Sequence, residues 1–357
     1  MSSTDAQPNL FDLVTRHKFG FFAGSLYNLG TTAVACGEEC TPPDCSGFGS
    51  LGYYNWVKTY SPWNNQVLVQ ECTTTYATTD TADDAIARAQ SMRQPWFLQT
   101  SFNAPHLPYD LPPTHLCPPS GSCSFQYCQG GNATPAEMAS AIMEALDSEF
   151  GRMVAAIRAV DPETVFVVIS DNGTSSTAAQ GAAGDCFDPE RSKGTLYEGG
   201  IRVPLIIAGG DVVAGECTAL VSAADLFGTI GDLAGVHWAA EDSISLAPYL
   251  AGDLTPLRST VYAEGFSPNF ISPDVDGQPA FEPTVHTRAI RNERYKLIRF
   301  TTSTGSQEEL FFDLQAAPCE TVNLCPGFGN CTGSGMNATE LANMQALQAE
   351  LVAMGVY

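Results

Sequence analysis

The run Val165-Phe166-Val167-Val168-Ile169 stops abruptly at Ser170-Asp171-Asn172-Gly173, and further on comes the block Lys193-Gly194-Thr195-Leu196-Tyr197-Glu198-Gly199-Gly200-Ile201-Arg202-Val203-Pro204. An unbroken apolar, β-branched run predicts a buried strand of an α/β sheet. Open sheets of that kind bind ligands in the crevice beyond the carboxyl ends of their strands, which is where Asp171 and Asn172 would lie. Taken alone, Asp-Asn-Gly reads first as an ordinary turn, because all three residues favour turns for local backbone reasons.

Neighbouring segments shift that reading towards chemistry. Carboxylate and carboxamide oxygens suit a hard cation, Ca2+ or Mg2+, better than zinc or copper. Calcium takes about six to eight oxygens, so another segment or the substrate must add donors. A second apolar run, Trp96 to Phe102, leads into Asn103-Ala104-Pro105-His106 and predicts another strand with an imidazole at its end. Lys193 precedes the strand predicted over Val203 to Ala208 and supplies a compact positive charge suited to a tetrahedral oxyanion. Asp171, Asn172, His106 and Lys193 together predict a site for an anionic ester.

The Ser101-Phe102-Asn103-Ala104-Pro105-His106 stretch, the Ser170–Gly173 turn and the Lys193–Pro204 block resemble, in order, three signature segments of the type I, formylglycine-dependent sulfatases. Val221 to Phe227, Arg291 to Ile298 and Glu309 to Leu314 resemble that family more loosely, and His17 to Gly24 more loosely still. The resemblance implies an alkaline-phosphatase-like α/β fold, a mixed sheet flanked by helices, with a small C-terminal antiparallel α+β subdomain. It implies that Asp171 and Asn172 are metal ligands, and that Lys193 and His106 contact the sulfate group or the departing oxygen. The cation and Lys193 would then stabilise charge on the sulfate oxygens while a hydrated aldehyde attacks sulfur. His106 or Lys193 would donate a proton to the leaving alcohol.

The departures are equally specific. The family's paired-Asp strand, its Cys-x-Pro-Ser-Arg segment, whose Cys becomes the formylglycine nucleophile, and its later Gly-Lys-Trp-His segment have no counterpart here. Cys117-Pro118-Pro119-Ser120-Gly121 has Gly where the modification signal needs Arg, and it follows His106 instead of preceding it. The resemblance therefore covers the C-terminal two-thirds of a sulfatase. The expectation is a shortened working enzyme, inactive alone and exposing an unpaired apolar sheet edge. Two alternatives stand beside it: a non-catalytic binding or assembly protein on the same scaffold, and a related phosphatase or phosphonate hydrolase with a Ser or Thr nucleophile.

A net charge of −23, from 39 acidic and 16 basic residues, argues against nucleic acid or an anionic membrane as partner. The ligand implied by the resemblance is a small sulfate ester or a sulfated carbohydrate, an anion that this charge repels at long range. Twelve cysteines, many in Pro/Gly-rich loops, predict disulfides and an oxidising compartment: secreted, periplasmic or lysosomal. Asn132, Asn330 and Asn337 each begin an Asn-x-Thr glycosylation pattern, and so does Asn172, where a metal ligand should carry no glycan. The first residues lack the apolar core of a signal peptide, and no stretch is long enough for a transmembrane segment.

The remaining patterns place structure around these motifs. Residues 30 to 75 read as loops, and Asp80 to Met92 reads as a helix. Thr134-Pro135-Ala136-Glu137 reads as a capped start of a helix running to about Val160, with Asp147 and Glu149 as surface charges. Thr287 to Arg299 reads as a hairpin turning at Asn292-Glu293, followed by a strand over Leu310 to Leu314 and a closing helix over Glu340 to Val352. His286, Arg288 and Arg291 could reach a pocket mouth, but surface placement is the default expectation for each. The predicted division is 1–265, a partial catalytic α/β domain, and 266–357, an antiparallel subdomain.

Overall fold

Capping chemistry sets the longest helix. In the computed structural model, the Thr134 hydroxyl accepts the Glu137 N–H and the Glu137 carboxylate accepts the Thr134 N–H, so the start predicted from sequence forms as a capping box. The structure describes residues 21–25, 29, 52–61, 69–116, 133–182, 184, 186–236, 241–267, 272–273, 279–280, 284–325, 327 and 329–355. The Cys117-Pro-Pro-Ser-Gly segment, the clusters at Cys36–Cys45 and Cys117–Cys128, Asn132 and most of the stretch around His17 lie outside them.

The chain divides into two compact units, Met1–Thr164 and Val165–Tyr357. In the first, β1 (Ala23–Gly24), β2 (Trp56–Tyr60) and β3 (Val69–Thr73) form an antiparallel sheet in that order, with β2 and β3 inside the region predicted as loop. Helices α1 (Ala77–Ser91) and α2 (Pro135–Val160) pack together. The packed face of α2 carries Ile142, Ala145, Met153 and Ile157, as its spacing predicts. Glu149 lies on that same face. Sequence had it as a surface charge, yet it is buried, accepting hydrogen bonds from the Thr79 hydroxyl and Arg152, while Asp147 is exposed as expected.

In the second unit, β4 (Phe166–Ile169) pairs antiparallel with β5 (Leu205–Ala208). Between them lie the single-turn helices α3 (Ser176–Ala179) and α4 (Glu198–Ile201), and α5 (Asp225–Leu233) and α6 (Ala247–Leu250) follow. A four-stranded antiparallel sheet is built from β6 (Val261–Ser267), β9 (Val285–Arg291), β10 (Tyr295–Thr302) and β11 (Gln307–Asp313), in the order β11-β10-β9-β6. The two-residue strands β7 (Ser272–Pro273) and β8 (Pro279–Ala280) pair with each other. Helix α7 (Ala338–Ala353), capped by Asn337, packs Met344, Leu347 and Leu351 against Ile290, Leu297 and Phe311. The predicted hairpin, final strand and closing helix are all present. Residue 265 falls inside β6, so the sheet begins ahead of that position.

Two expectations are corrected. Trp96 to Phe102 forms no strand, because extended backbone becomes a strand only by pairing and none pairs with it among the described residues. Nor is β4 fully buried: Ile169, and Ile206 on its partner β5, are 37% and 58% exposed, so apolar side chains of this two-stranded pair stand uncovered. Among the described residues, no helix is long and apolar enough to cross a membrane.

Candidate functional site

In the second unit, backbone hydrogen bonds join the Asp171-Asn172 turn to the Lys193 loop. The Lys193 N–H donates to the Thr174 carbonyl at 2.8 Å, and the Gly173 N–H donates to the Gly200 carbonyl at 2.9 Å. The glycines of both motifs make this approach possible. A Cβ at Gly173 would collide with the Gly199 carbonyl oxygen, and one at Gly200 would meet the Ser192 carbonyl at 2.7 Å. The Ser170 hydroxyl donates to the Asn172 carbonyl at 2.8 Å and tightens the turn. Asp171 and Lys193 are exposed and Asn172 half-buried, as suits groups that meet a ligand.

Asp171 and Asn172 fit a hard cation by donor type, each presenting a side-chain oxygen. They supply two donors. Among the described residues, no group of three His, Cys, Asp or Glu is gathered as a metal centre.

The Lys193 loop is fixed from its far side by ion pairs that sequence reasoning did not foresee. Glu198, the first residue of α4, takes Lys296 Nζ on Oε1 at 2.9 Å and the Arg291 guanidinium on Oε2 at 2.7 Å. Lys296 also reaches Glu320 Oε1 at 2.9 Å, and the Glu198 N–H donates to Glu320 Oε2 at 2.6 Å. Burial pushes the Glu320 carboxyl above its ordinary range, against the opposing pull of Lys296. The disulfide Cys186–Cys319 spans the same two segments, and the Arg191 guanidinium donates to the Cys319 carbonyl at 3.3 Å. A lysine set between Tyr295 and Leu297 in an apolar strand was the available signal, since a buried ammonium needs carboxylates.

Surface placement of the basic residues at the sheet's start is also corrected. Arg288 is buried, Arg291 is half-buried on Glu198, and the half-buried His286 stacks on Phe266 with Nε2 3.0 Å from Glu264. Asp225, in one of the looser sequence matches, is a buried carboxylate that accepts the N–H groups of Ser222 and Ile244 and pairs with Arg258. A cleft of about 560 Å3 elsewhere in this unit, lined in part by Cys217, Arg258, Arg294 and Asn343, excludes Asp171 and Lys193.

His106 belongs to the first unit. Its N–H donates to the Asn103 carbonyl at 2.7 Å, closing the turn that carries it. The buried Tyr53 hydroxyl lies 2.9 and 3.0 Å from the carbonyl oxygens of Asn103 and His106, and burial raises its phenol so that it remains a protonated donor. His106 Nδ1 is 2.7 Å from the Leu107 carbonyl oxygen, which only accepts, so this nitrogen carries the proton. Nε2 is then an acceptor in the neutral ring and a donor in the imidazolium. No sequence signal linked Tyr53 to His106 across so many intervening residues.

Known proteins resemble this chain in sequence and in fold. The sequence model of the family described as Sulfatase matches residues 2–236. Arylsulfatase A of Homo sapiens is 28% identical over 294 residues, covering 76% of this chain and 52% of that protein. Choline-sulfatase of Rhizobium meliloti (strain 1021) is 27% identical over 269 residues, covering 65% and 46%. The chain thus spans about half the length of the relatives it matches. The fold is shared with BT4656, solved in complex with its substrate D-glucosamine-2-N,6-O-disulfate, at a TM-score of 0.58 and 17% identity, over 97% of this chain and 81% of that one. It is shared also with Ps i-CgsB at 0.59 and 20%, over 84% and 57%. With the family model matching well over half of its residues, the chain belongs to the sulfatase family.

Proposed function

We propose that this chain carries part of the catalytic machinery of a sulfuric ester hydrolase acting on aryl or carbohydrate sulfate esters. The observation that carries the reading is the backbone lock setting the Asp171-Asn172 turn beside the Lys193 loop. Lys193 supplies a fixed positive charge for the sulfate oxygens, where charge grows as the ester bond breaks. His106, held by Tyr53 and the Leu107 carbonyl, is proposed as a proton donor to the leaving oxygen, giving the proton from Nε2 when its ring is charged.

Members of the family use a metal ion and a formylglycine. Asp171 and Asn172 would be this chain's donors to the ion, with Ca2+ or Mg2+ as the proposed identity, and the ion would neutralise sulfate charge when bound. The proposed division of labour sets residues 1–265 as the catalytic part and 266–357 as its antiparallel support. Similarity to arylsulfatase A and choline-sulfatase supports the ester class. The disulfides Cys186–Cys319 and Cys325–Cys331 fit an oxidising compartment, and we place the protein in the secreted, periplasmic or lysosomal class.

The test assays p-nitrophenyl sulfate and p-nitrophenyl phosphate, with this 357-residue chain alone and with the complete product of its gene. The expectation is no turnover by the chain alone and sulfate turnover by the complete product. Lys193→Ala and Asp171→Ala should each lower its kcat/KM by about a hundredfold to a thousandfold, or roughly 3–4 kcal/mol. Preferred phosphate turnover would replace the reading with a phosphatase. Failure on both esters, or wild-type rates in both variants, would overturn it in favour of a binding scaffold.

A further inference from the structure

We infer that Lys296, on the central strand β10 of the C-terminal sheet, is a positioning residue for the Asp171-Asn172 turn and the Lys193 loop, acting through Glu198 and seconded by the Cys186–Cys319 disulfide. The inference rests on the functional reading above for what the turn and loop do, and on geometry alone for what holds them.

The path is short and continuous. Lys296 is 1% exposed and bridges Glu198 and Glu320, both buried. Glu198 opens α4, and two residues on the Gly200 carbonyl accepts the N–H of Gly173, directly after Asn172. A shift of Glu198 therefore moves the acceptor that ends the metal-ligand turn. At the other end of the loop, Cys186 is bonded to Cys319, the neighbour of Glu320. Glu320 itself holds φ at +56°, a left-handed conformation that a non-glycine residue adopts only against a steric penalty. Strain at the residue that both caps Glu198 and meets Lys296 is what a device for placing that carboxylate would require.

Chemistry explains why the device is ionic. An apolar residue at 296 would leave the buried Glu320 without the ammonium it faces and Glu198 with Arg291 alone, so the strand must offer a cation or loosen the loop. Helix α4, with only four residues, cannot hold its place by its own hydrogen bonds. Its order is imposed from the sheet.

The experiment is amide hydrogen exchange on the 357-residue chain, comparing the Gly173 and Lys193 amides with amides of β9 and β11. Lys296→Met should raise exchange at Gly173 and Lys193 by about tenfold or more while the sheet amides keep their protection, which is the pattern of a local opening. Lys296→Arg should restore part of the protection. Equal loss everywhere would make Lys296 merely a stabiliser of the sheet, and no change at Gly173 would remove it from the path; either result overturns the inference. Should Lys296→Met fail to fold, the paired Cys186→Ser/Cys319→Ser chain is measured with Lys296 intact. It is expected to show the same local rise to a smaller degree, and unchanged exchange there would equally overturn the inference. Exchange reads the tether and ester turnover reads the function, so each can fail while the other stands.

Discussion

Two sheets of the second unit end in opposite situations. In the C-terminal sheet, strands of seven and eight residues close on α7, and Ile290, Leu297, Ile298 and Phe311 are wholly buried. In the β4–β5 pair, wholly apolar strands of four residues leave Ile206 58% exposed. The first region carries its own core, so burial holds it. The second, which bears Asp171, Asn172 and Lys193, has little of its own and is held by backbone hydrogen bonds, a disulfide and buried charges. The support is apolar and the site is polar, and they meet at Lys296.

The largest test of this contrast is Phe311→Ala, which empties the middle of the C-terminal core and should cost about 3–5 kcal/mol in denaturant unfolding. A loss well below that would mean the core packs elsewhere. A smaller, pH-dependent effect is expected at the end of β11. Arg294 donates to both oxygens of Asp313, and the N–H groups of Gln315 and Ala316 add to it, holding the Asp313 carboxyl below its ordinary 3.8. A lowered folded-state value means the stabilisation is present above pH 3.8 and fades as pH falls through the folded-state value. Asp313→Asn should therefore flatten the loss of stability between pH 5 and pH 3, and an unchanged pH profile would show that the arrangement contributes nothing. The smallest effect belongs to the open pair: Ile206→Thr should change stability by no more than about 0.5 kcal/mol, as at other exposed positions. A cost of several kcal/mol would show that β5 is covered in solution and would erase the contrast.

What could be read from sequence follows the same division. Local patterns were legible: the Thr134–Glu137 cap, the face of α2, the hairpin across Asn292-Glu293 and the α7 helix depend on residues a few positions apart. The nearness of the Asp171 turn to the Lys193 loop was read from their places beside predicted strands and from the resemblance of motifs, and backbone bonds now give it a physical cause. Trp96 to Phe102 was misread because an apolar run states a preference for extended backbone without supplying the partner. Glu149, Arg288 and Arg291 were misplaced at the surface because charge alone does not reveal where its counter-charge lies. Their partners are Thr79 and Arg152, the Gly355 carbonyl, and Glu198. For Arg288 and Arg291 these partners stand far away along the chain.

The meeting of Gly173 with Gly199 and Gly200 limits how this site can change. Main chain lies against main chain there, so no substitution can lengthen, shorten or recharge the join without prising it apart. Any change in what this site accepts must then enter through outward-facing neighbours such as the exposed Thr174, while the seam stays bare.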